Sequence, residues 1–311
     1  MTVKIFIDGN EGTTGLQLST LLNQRNDISL ISIDPALRKE PVERQYRMNS
    51  ADVVFLCLPD DASKDAMNLI SSPDTCVIDT SSAFRVHTDW VYGLPELENE
   101  QRSRIQNSKR ISNPGCHATA FILSIRPLVD AGLLPKNYPI SAFSFTGYSG
   151  GGKTMIDSYE ALGANPPPTP QPYALNLEHK HLPEIVFYAG LTKTPVFIPS
   201  IGSFYQGLSV WIPVIVEGVS PQSIYEAYQD RYKTERFIRV HEPNSHDLRP
   251  DYFFDVEGSN YTNRVDIFIM GNSVRQCIVA RIDNLGKGAA GSAIQNLNIY
   301  IGAPENYGLK D

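Results

Sequence analysis

The period of the hydrophobic pattern changes along the chain. Val3-Lys4-Ile5-Phe6-Ile7-Asp8 is an apolar run that predicts a strand, and it leads straight into Gly9-Asn10-Glu11-Gly12-Thr13-Thr14-Gly15. Leu16, Leu18, Leu21 and Leu22 then mark an amphipathic helix, and Ile28 to Ile33 a second strand. Strand, glycine turn, helix and strand within about 30 residues make a βαβ unit, from which parallel sheets are built. Asp52 to Leu58 and Cys76 to Asp79 are continuous apolar runs, the pattern of strands covered on both faces.

Beyond Cys116 the pattern differs. Ala118, Phe121, Ile122, Ile125, Leu128 and Val129 fall at helical spacing. Ile140 to Thr146, Val196 to Ser203 and Leu208 to Val216 alternate like long strands. Val265 to Met270 and Cys277 to Ile282 predict a hairpin around Gly271-Asn272-Ser273. Long strands broken by few helices point to a mixed or antiparallel sheet. The proline-rich run from Asn165 to Pro172 reads as a stiff, extended loop. Ala289 to Ile301 reads as a helix opened by Gly286-Lys287-Gly288, returning to the first domain. The fold class expected is α/β, with a Rossmann-like parallel-sheet nucleotide-binding domain over 1–116 that residues 286–311 rejoin. An α+β catalytic and oligomerisation domain is expected over 117–285.

Composition narrows the function. A chain of 311 residues fits two domains of about 150 each. A net charge of −7 argues against a nucleic-acid or anionic-membrane partner and for a small molecule. No run approaches the roughly 18 apolar residues of a membrane span, and the N-terminus lacks a signal-peptide pattern, so a cytoplasmic location is expected. Cys57, Cys76, Cys116 and Cys277 are far apart with no CxxC, which indicates neither a disulfide framework nor a zinc site.

The chemistry concentrates in Asn113-Pro114-Gly115-Cys116-His117-Ala118. A thiol on a Pro-Gly turn at the start of a helix meets the positive end of the macrodipole, which favours the thiolate a nucleophile needs. The plainer alternative is a small buried apolar residue. Gly9, Gly12 and Gly15 form GxxGxxG rather than GxGxxG, but after a strand and at a helix N-terminus, where a pyrophosphate is received. Asp34 stands where an acid holds the ribose of NAD, while Arg38 and Lys39 suit a 2′-phosphate, so the residues alone leave the cofactor open. His179-Lys180-His181 offers two histidines but no third ligand at metal spacing, and no metal is expected. Thr146 to Lys153 resembles a backbone nest for an anion, and Ser81 to Arg85 brings an arginine to the carboxyl edge of the sheet.

In order, Gly12-Thr13-Thr14-Gly15, Ser81-Ser82-Ala83-Phe84-Arg85, Asn113-Pro114-Gly115-Cys116, Ser149-Gly150-Gly151-Gly152-Lys153, His179-Lys180-His181-Leu182-Pro183-Glu184 and Asp283-Asn284-Leu285-Gly286-Lys287-Gly288 resemble the shorter form of the N-acetyl-gamma-glutamyl-phosphate reductases. The resemblance implies an NADP-dependent reduction of an acyl phosphate in arginine biosynthesis, and a fold like that of aspartate-semialdehyde dehydrogenase. It matches Cys116 to the nucleophile and His181 to the acid–base histidine. Cofactor contacts are then expected from Gly9, Gly12, Thr13, Thr14, Gly15, Asp34, Arg38, Lys39, Ser81, Asn284, Gly286, Lys287 and Gly288. Substrate or phosphate contacts are expected from Arg85, Asn113, Ser149, Gly150, Lys153, His179 and Glu184. A homodimer or tetramer is expected. Aspartate-semialdehyde dehydrogenase, a carrier-bound acyl-phosphate reductase of lysine biosynthesis, a thiol hydrolase and a non-catalytic NADP sensor are the competing readings.

Overall fold

A computed structural model describes residues 2–163, 170–245 and 253–311. Positions 165–169 of the proline-rich run and His246 lie outside the described residues. In chain order the elements are β1 (Val3–Asp8), α1 (Thr13–Leu22), β2 (Ile28–Leu30), α2 (Pro41–Asn49), β3 (Val53–Leu56), α3 (Asp60–Met67), β4 (Cys76–Asp79), β5 (Val91–Tyr92), α4 (Gln101–Gln106) and β6 (Arg110–Ser112). There follow α5 (Cys116–Asp130), β7 (Ser141–Gly147), α6 (Gly152–Glu160), β8 (Gln171–Pro172), α7 (Leu182–Tyr188), β9 (Val196–Gly202), β10 (Leu208–Val214), α8 (Pro221–Tyr232), β11 (Ile238–Val240), β12 (Val265–Gly271), β13 (Gln276–Ile282) and α9 (Gly291–Ile301). The contacts divide them into two compact units, Met1–Pro114 with Ala289–Leu309, and Gly115–Gly288 with Lys310–Asp311.

The first unit is a six-stranded sheet of order β2-β1-β3-β4-β6-β5, parallel throughout. The apolar strand runs are explained by cover on both sides. Ile5, Ile7, Val53, Phe55, Cys76 and Ile78 face one core, while Phe6, Val54, Leu56 and Val77 face another. The strand order reverses between β1 and β3, which makes their carboxyl ends the crevice where such sheets take ligands. Ile28 to Ile33 is shorter than its hydrophobicity implies, since regular pairing stops at Leu30.

The second unit is a mixed sheet of order β11-β12-β13-β10-β7-β9-β8. Its centre is antiparallel, from β12 through β13 and β10 to β7, and β9 joins β7 in parallel. The α/β plus α+β architecture read from the sequence is the one observed. Part of the proline-rich segment is a strand, since Gln171 and Pro172 pair with β9. Among the described residues no helix is long and apolar enough to cross a membrane.

Candidate active site

Gly115, with extended backbone at φ −78° and ψ 151°, caps α5, and Cys116 is the first residue of that helix. The turn is held from α7, where the buried carboxylate of Glu184 accepts the Gly115 N–H at 3.2 Å. Gly288 packs against the other side of the thiol residue: a Cβ at this position would overlap Cβ of Cys116. The nucleophile candidate is therefore fixed from two directions.

Three imidazoles gather at Cys116. Nδ1 of His117 lies 3.5 Å from Sγ, and the donor atoms of Cys116, His117 and His181 all lie within 4.8 Å of one another. His179 completes the group with its ring 4.7 Å from His181 and 5.4 Å from His117. Its Nδ1 accepts the backbone N–H of His181 at 3.1 Å, and its Nε2 faces the Tyr173 hydroxyl at 3.5 Å. Phe197 closes the back of the cluster, edge-on to His117 and His179. Burial, helped by His179 and Lys180, drives the His117 pKa far below the usual histidine value, so this imidazole is neutral at pH 7. Burial pushes the thiols of Cys57 and Cys76 up to about 12 and that of Cys277 to about 11.

The glycine turn lies at the β1/β3 crevice of the first unit. Gly9 has φ +88°, and a Cβ there would overlap the Cys57 carbonyl, so the tight approach of β1 and β3 depends on glycine. α1 begins after Gly12 with no side-chain cap and no acid in its first turn. Its N–H groups are left for an incoming anion. Thr13 Oγ1 is buried beside them and has no hydrogen-bond partner. A cleft of about 400 Å³ opens here, lined by Gly9, Gly12, Arg38, Lys39, Arg44 and Leu58 among others. Arg38 pairs with Glu11 and Arg44 with Asp8 at the same cleft, while Lys39, the uncapped helix end and the orphaned hydroxyl fit a dinucleotide phosphate.

Residues 34–105 match the semialdehyde dehydrogenase NAD-binding domain, and residues 116–284 match the semialdehyde dehydrogenase dimerisation domain. N-acetyl-gamma-glutamyl-phosphate reductase 2 of Nostoc sp. is 43% identical, covering 98% of this chain and 99% of its own length. The Pseudomonas putida protein of the same name is 42% identical, covering 99% of both chains. The chain belongs to the N-acetyl-gamma-glutamyl-phosphate reductase family. Among solved structures it is similar to aspartate semialdehyde dehydrogenase from Francisella tularensis, with a TM-score of 0.73 at 15% identity over 96% of this chain and 99% of that one. The Vibrio cholerae aspartate semialdehyde dehydrogenase II has a TM-score of 0.69 at 16% identity, covering 97% of this chain and 98% of its own. At that identity the likeness shows the fold.

On this reductase-family scaffold several residues singled out by sequence are engaged in other ways. Asp34 is exposed, its carboxylate accepting the Ala36 N–H in a turn beyond β2, and it does not line the cleft. Asn284 bonds Gly207 N and Ser149 Oγ, while Lys287 is fully buried with its cation over the Phe237 ring. Both are interior residues of the second unit. In the segment expected to form an anion nest, the N–H groups of Gly147, Tyr148 and Ser149 donate to the carbonyls of Gly207, Phe204 and Tyr205. Gly150 follows in a 3₁₀ turn, and Lys153 is exposed on α6. Arg85 donates to the carbonyls of Asn113 and Thr80, and the Asn113 amide bridges Ala289 O and Asn296 Nδ2. These two residues brace the approach to the nucleophile turn. Ser81 Oγ donates to Asp79 at 2.6 Å.

Arg44 is not singled out in the sequence, and His117 only as a member of the motif around Cys116. Arg44, 2.6 Å from the Asp8 carboxylate, lines the cleft from α2. The fold sets Nδ1 of His117 3.5 Å from the thiol.

Proposed function

We propose that the chain reduces N-acetyl-L-glutamyl 5-phosphate to N-acetyl-L-glutamate 5-semialdehyde and phosphate through a thioester on Cys116, a step of arginine biosynthesis. The observation that carries this reading is the Cys116 thiol at the N-terminus of α5, with His117 and His181 beside it. Sγ attacks the acyl carbon, a C–S bond forms, and the C–O bond to phosphate breaks. The oxyanion that develops is met by the N-terminal N–H groups of α5. The reduced nicotinamide, when bound, supplies the hydride. Collapse of the resulting thiohemiacetal releases the aldehyde and returns the thiolate. His181 is the acid–base group of this reading, because His179 has its nitrogens turned to the His181 N–H and to Tyr173. Neutral His117 orients the thiol. Lys153, exposed and next to the turn that carries Ser149 and Gly150, is the candidate for the phosphate.

Arg38, Lys39 and Arg44 on the cleft favour NADP over NAD, since a 2′-phosphate needs cations where Asp34 would have held a hydroxyl. The sheet of the second unit leaves Phe143 exposed and Trp211 half-buried opposite each other on β7 and β10. This apolar face supports assembly as a dimer or tetramer.

The test runs the reaction backwards. The chain is given N-acetylglutamate semialdehyde, phosphate and NADP, and absorbance of the reduced nicotinamide is followed. Phosphate-dependent reduction is expected, lost by at least about 10³-fold in Cys116→Ser. Equal rates in the variant would remove the covalent route. Nucleotide binding without turnover would remove the substrate. Sedimentation of the same preparation should give two or four chain masses, and a single-chain mass would remove the assembly.

A further inference from the structure

The sequence offers no third ligand to the His179/His181 pair at metal spacing, but in space two further donors stand beside His181. We propose that Cys116 Sγ, His117 Nδ1 and an imidazole nitrogen of His181 form a reversible binding site for a borderline-soft divalent cation of the zinc class. This does not rest on the reaction assigned above, because the three donors define the site whatever substrate the chain takes.

Geometry is the first argument. A zinc-class ion with bonds of about 2.3 Å to sulfur and 2.0–2.1 Å to nitrogen, at tetrahedral angles, sets its sulfur and nitrogen ligands about 3.5 Å apart. Sγ and Nδ1 of His117 already stand at 3.5 Å. The remaining donor of His181 lies within 4.8 Å of the others, so about an ångström of side-chain movement completes a three-point cap. The chemistry is the second argument, since one thiolate and two imidazoles suit zinc and cobalt and are poor ligands for magnesium or calcium. The frame is the third. The Gly115 N–H bond to Glu184, the His181 N–H bond to His179 and the packing of Gly288 on Cys116 hold the elements that carry the ligands.

Two features set the strength. Nε2 of His117 is buried and accepts or donates no hydrogen bond, so it lacks the outer acceptor that raises a metal-bound imidazole's basicity. The N-terminus of α5 also repels a cation. Three protein ligands with an open fourth position, and no support behind one of them, describe a site that fills and empties rather than a permanent structural centre. A filled site withholds the thiolate from electrophiles, so the cation acts as a reversible block.

Cobalt(II) is the probe, because it shares zinc's ligand preference and its bands report the ligands. Chelator-stripped chain is titrated with cobalt chloride in an oxygen-free buffer free of thiols. One equivalent should give a thiolate-to-cobalt charge-transfer band and visible bands of four-coordinate intensity, both removed by stoichiometric zinc and by chelator. Cys116→Ser should abolish the charge-transfer band, and Cys277→Ser should leave it intact. Outer partners alone are worth roughly 10–100-fold in metal affinity, so His117→Ala and His181→Ala should each weaken binding at least that much. Should His117→Ala lose its circular-dichroism signature, wild type, Cys116→Ser and His181→Asn decide the matter. No charge-transfer band in the wild type, a band that survives Cys116→Ser, or unchanged affinity when His181 is replaced would overturn the site.

Discussion

Asp79 ends β4 with a carboxyl group that water does not reach, and burial pushes its pKa up to about 6, although hydrogen bonds from Ser81 and Ser63 and the charge of Arg85 pull it down. An ordinary aspartate in the unfolded chain titrates near 3.9. Between those values the folded state holds the proton and the unfolded state has released it, so stability falls as pH rises from about 4 to about 6 and stays lower above that. The difference is on the order of 3 kcal/mol before solvent relaxation reduces it. Asp79→Asn keeps an acceptor for Ser81 and should stabilise the chain at pH 7 while flattening urea-derived stability between pH 4 and 6. A variant less stable than wild type at pH 7, with the slope unchanged, would contradict this. Asp266 shows the opposite balance. Burial raises it, yet hydrogen bonds from His241, Ser259 and Arg264 outweigh the burial and hold it well below the usual carboxylate range. Arg264 stands two residues from Asp266 and Ser81 two residues from Asp79, but His241 and Ser259, which complete the Asp266 cage, come from other parts of the chain.

At the scale of elements, α5 carries both the nucleophile and a proline in its last turns, Pro127. Proline has no N–H, so the carbonyl of Leu123, four residues earlier, loses its helical donor. The hydroxyl of Tyr232 on α8 replaces it, donating to Leu123 O at 2.7 Å, and Tyr228 donates to Ser124 O beside it. Both tyrosines are buried, so neither carbonyl has water to turn to. Tyr232→Phe should destabilise the chain by about 1–3 kcal/mol, read as a lower denaturant midpoint with an unchanged slope. An unchanged midpoint would mean that the carbonyl finds another donor. Helix α5 itself was legible from its apolar spacing, as were β1, the glycine turn and the β12–β13 hairpin, because one-dimensional periodicity specifies an element. The use of each polar side chain was not. Asn284, Lys287 and Asn113 stand in loops or at element ends, where a sequence shows a polar residue and the fold decides whether it faces a ligand or a carbonyl. The role of His117 likewise depends on His179 and His181, which the segment leading into α7 sets beside it.

At the scale of the whole molecule, the first unit is discontinuous, its sheet made from residues up to Pro114 and one of its helices from Ala289–Leu309. α9 is buried along most of its length, and Ala293, Ile294, Leu297 and Ile299 join the core cluster of Ile5, Leu18, Val53 and Ile78. Fully burying Ile294, Leu297 and Ile299 contributes about 5–9 kcal/mol at 1.5–3 kcal/mol each, which approaches the whole 5–15 kcal/mol stability of a domain. Polar groups add specificity, with Asn296 reaching Gly93 O and Asn113, and Gln295 reaching Glu96 and Glu305. Without the helix, Gly93 O and the Asn113 amide lose these partners as the hydrophobic cover is stripped away. A fragment of residues 1–114 is therefore expected to show no cooperative thermal transition and no dinucleotide binding, whereas the same fragment joined through a flexible glycine-serine linker to residues 289–309 should recover both. Calorimetry and fluorescence titration with NADP would read the two properties separately. A cooperative transition in residues 1–114 alone would show that the parallel sheet closes its own core. The late-made helix would then be a cover, and the nucleotide-binding unit would be complete before the second unit had been synthesised.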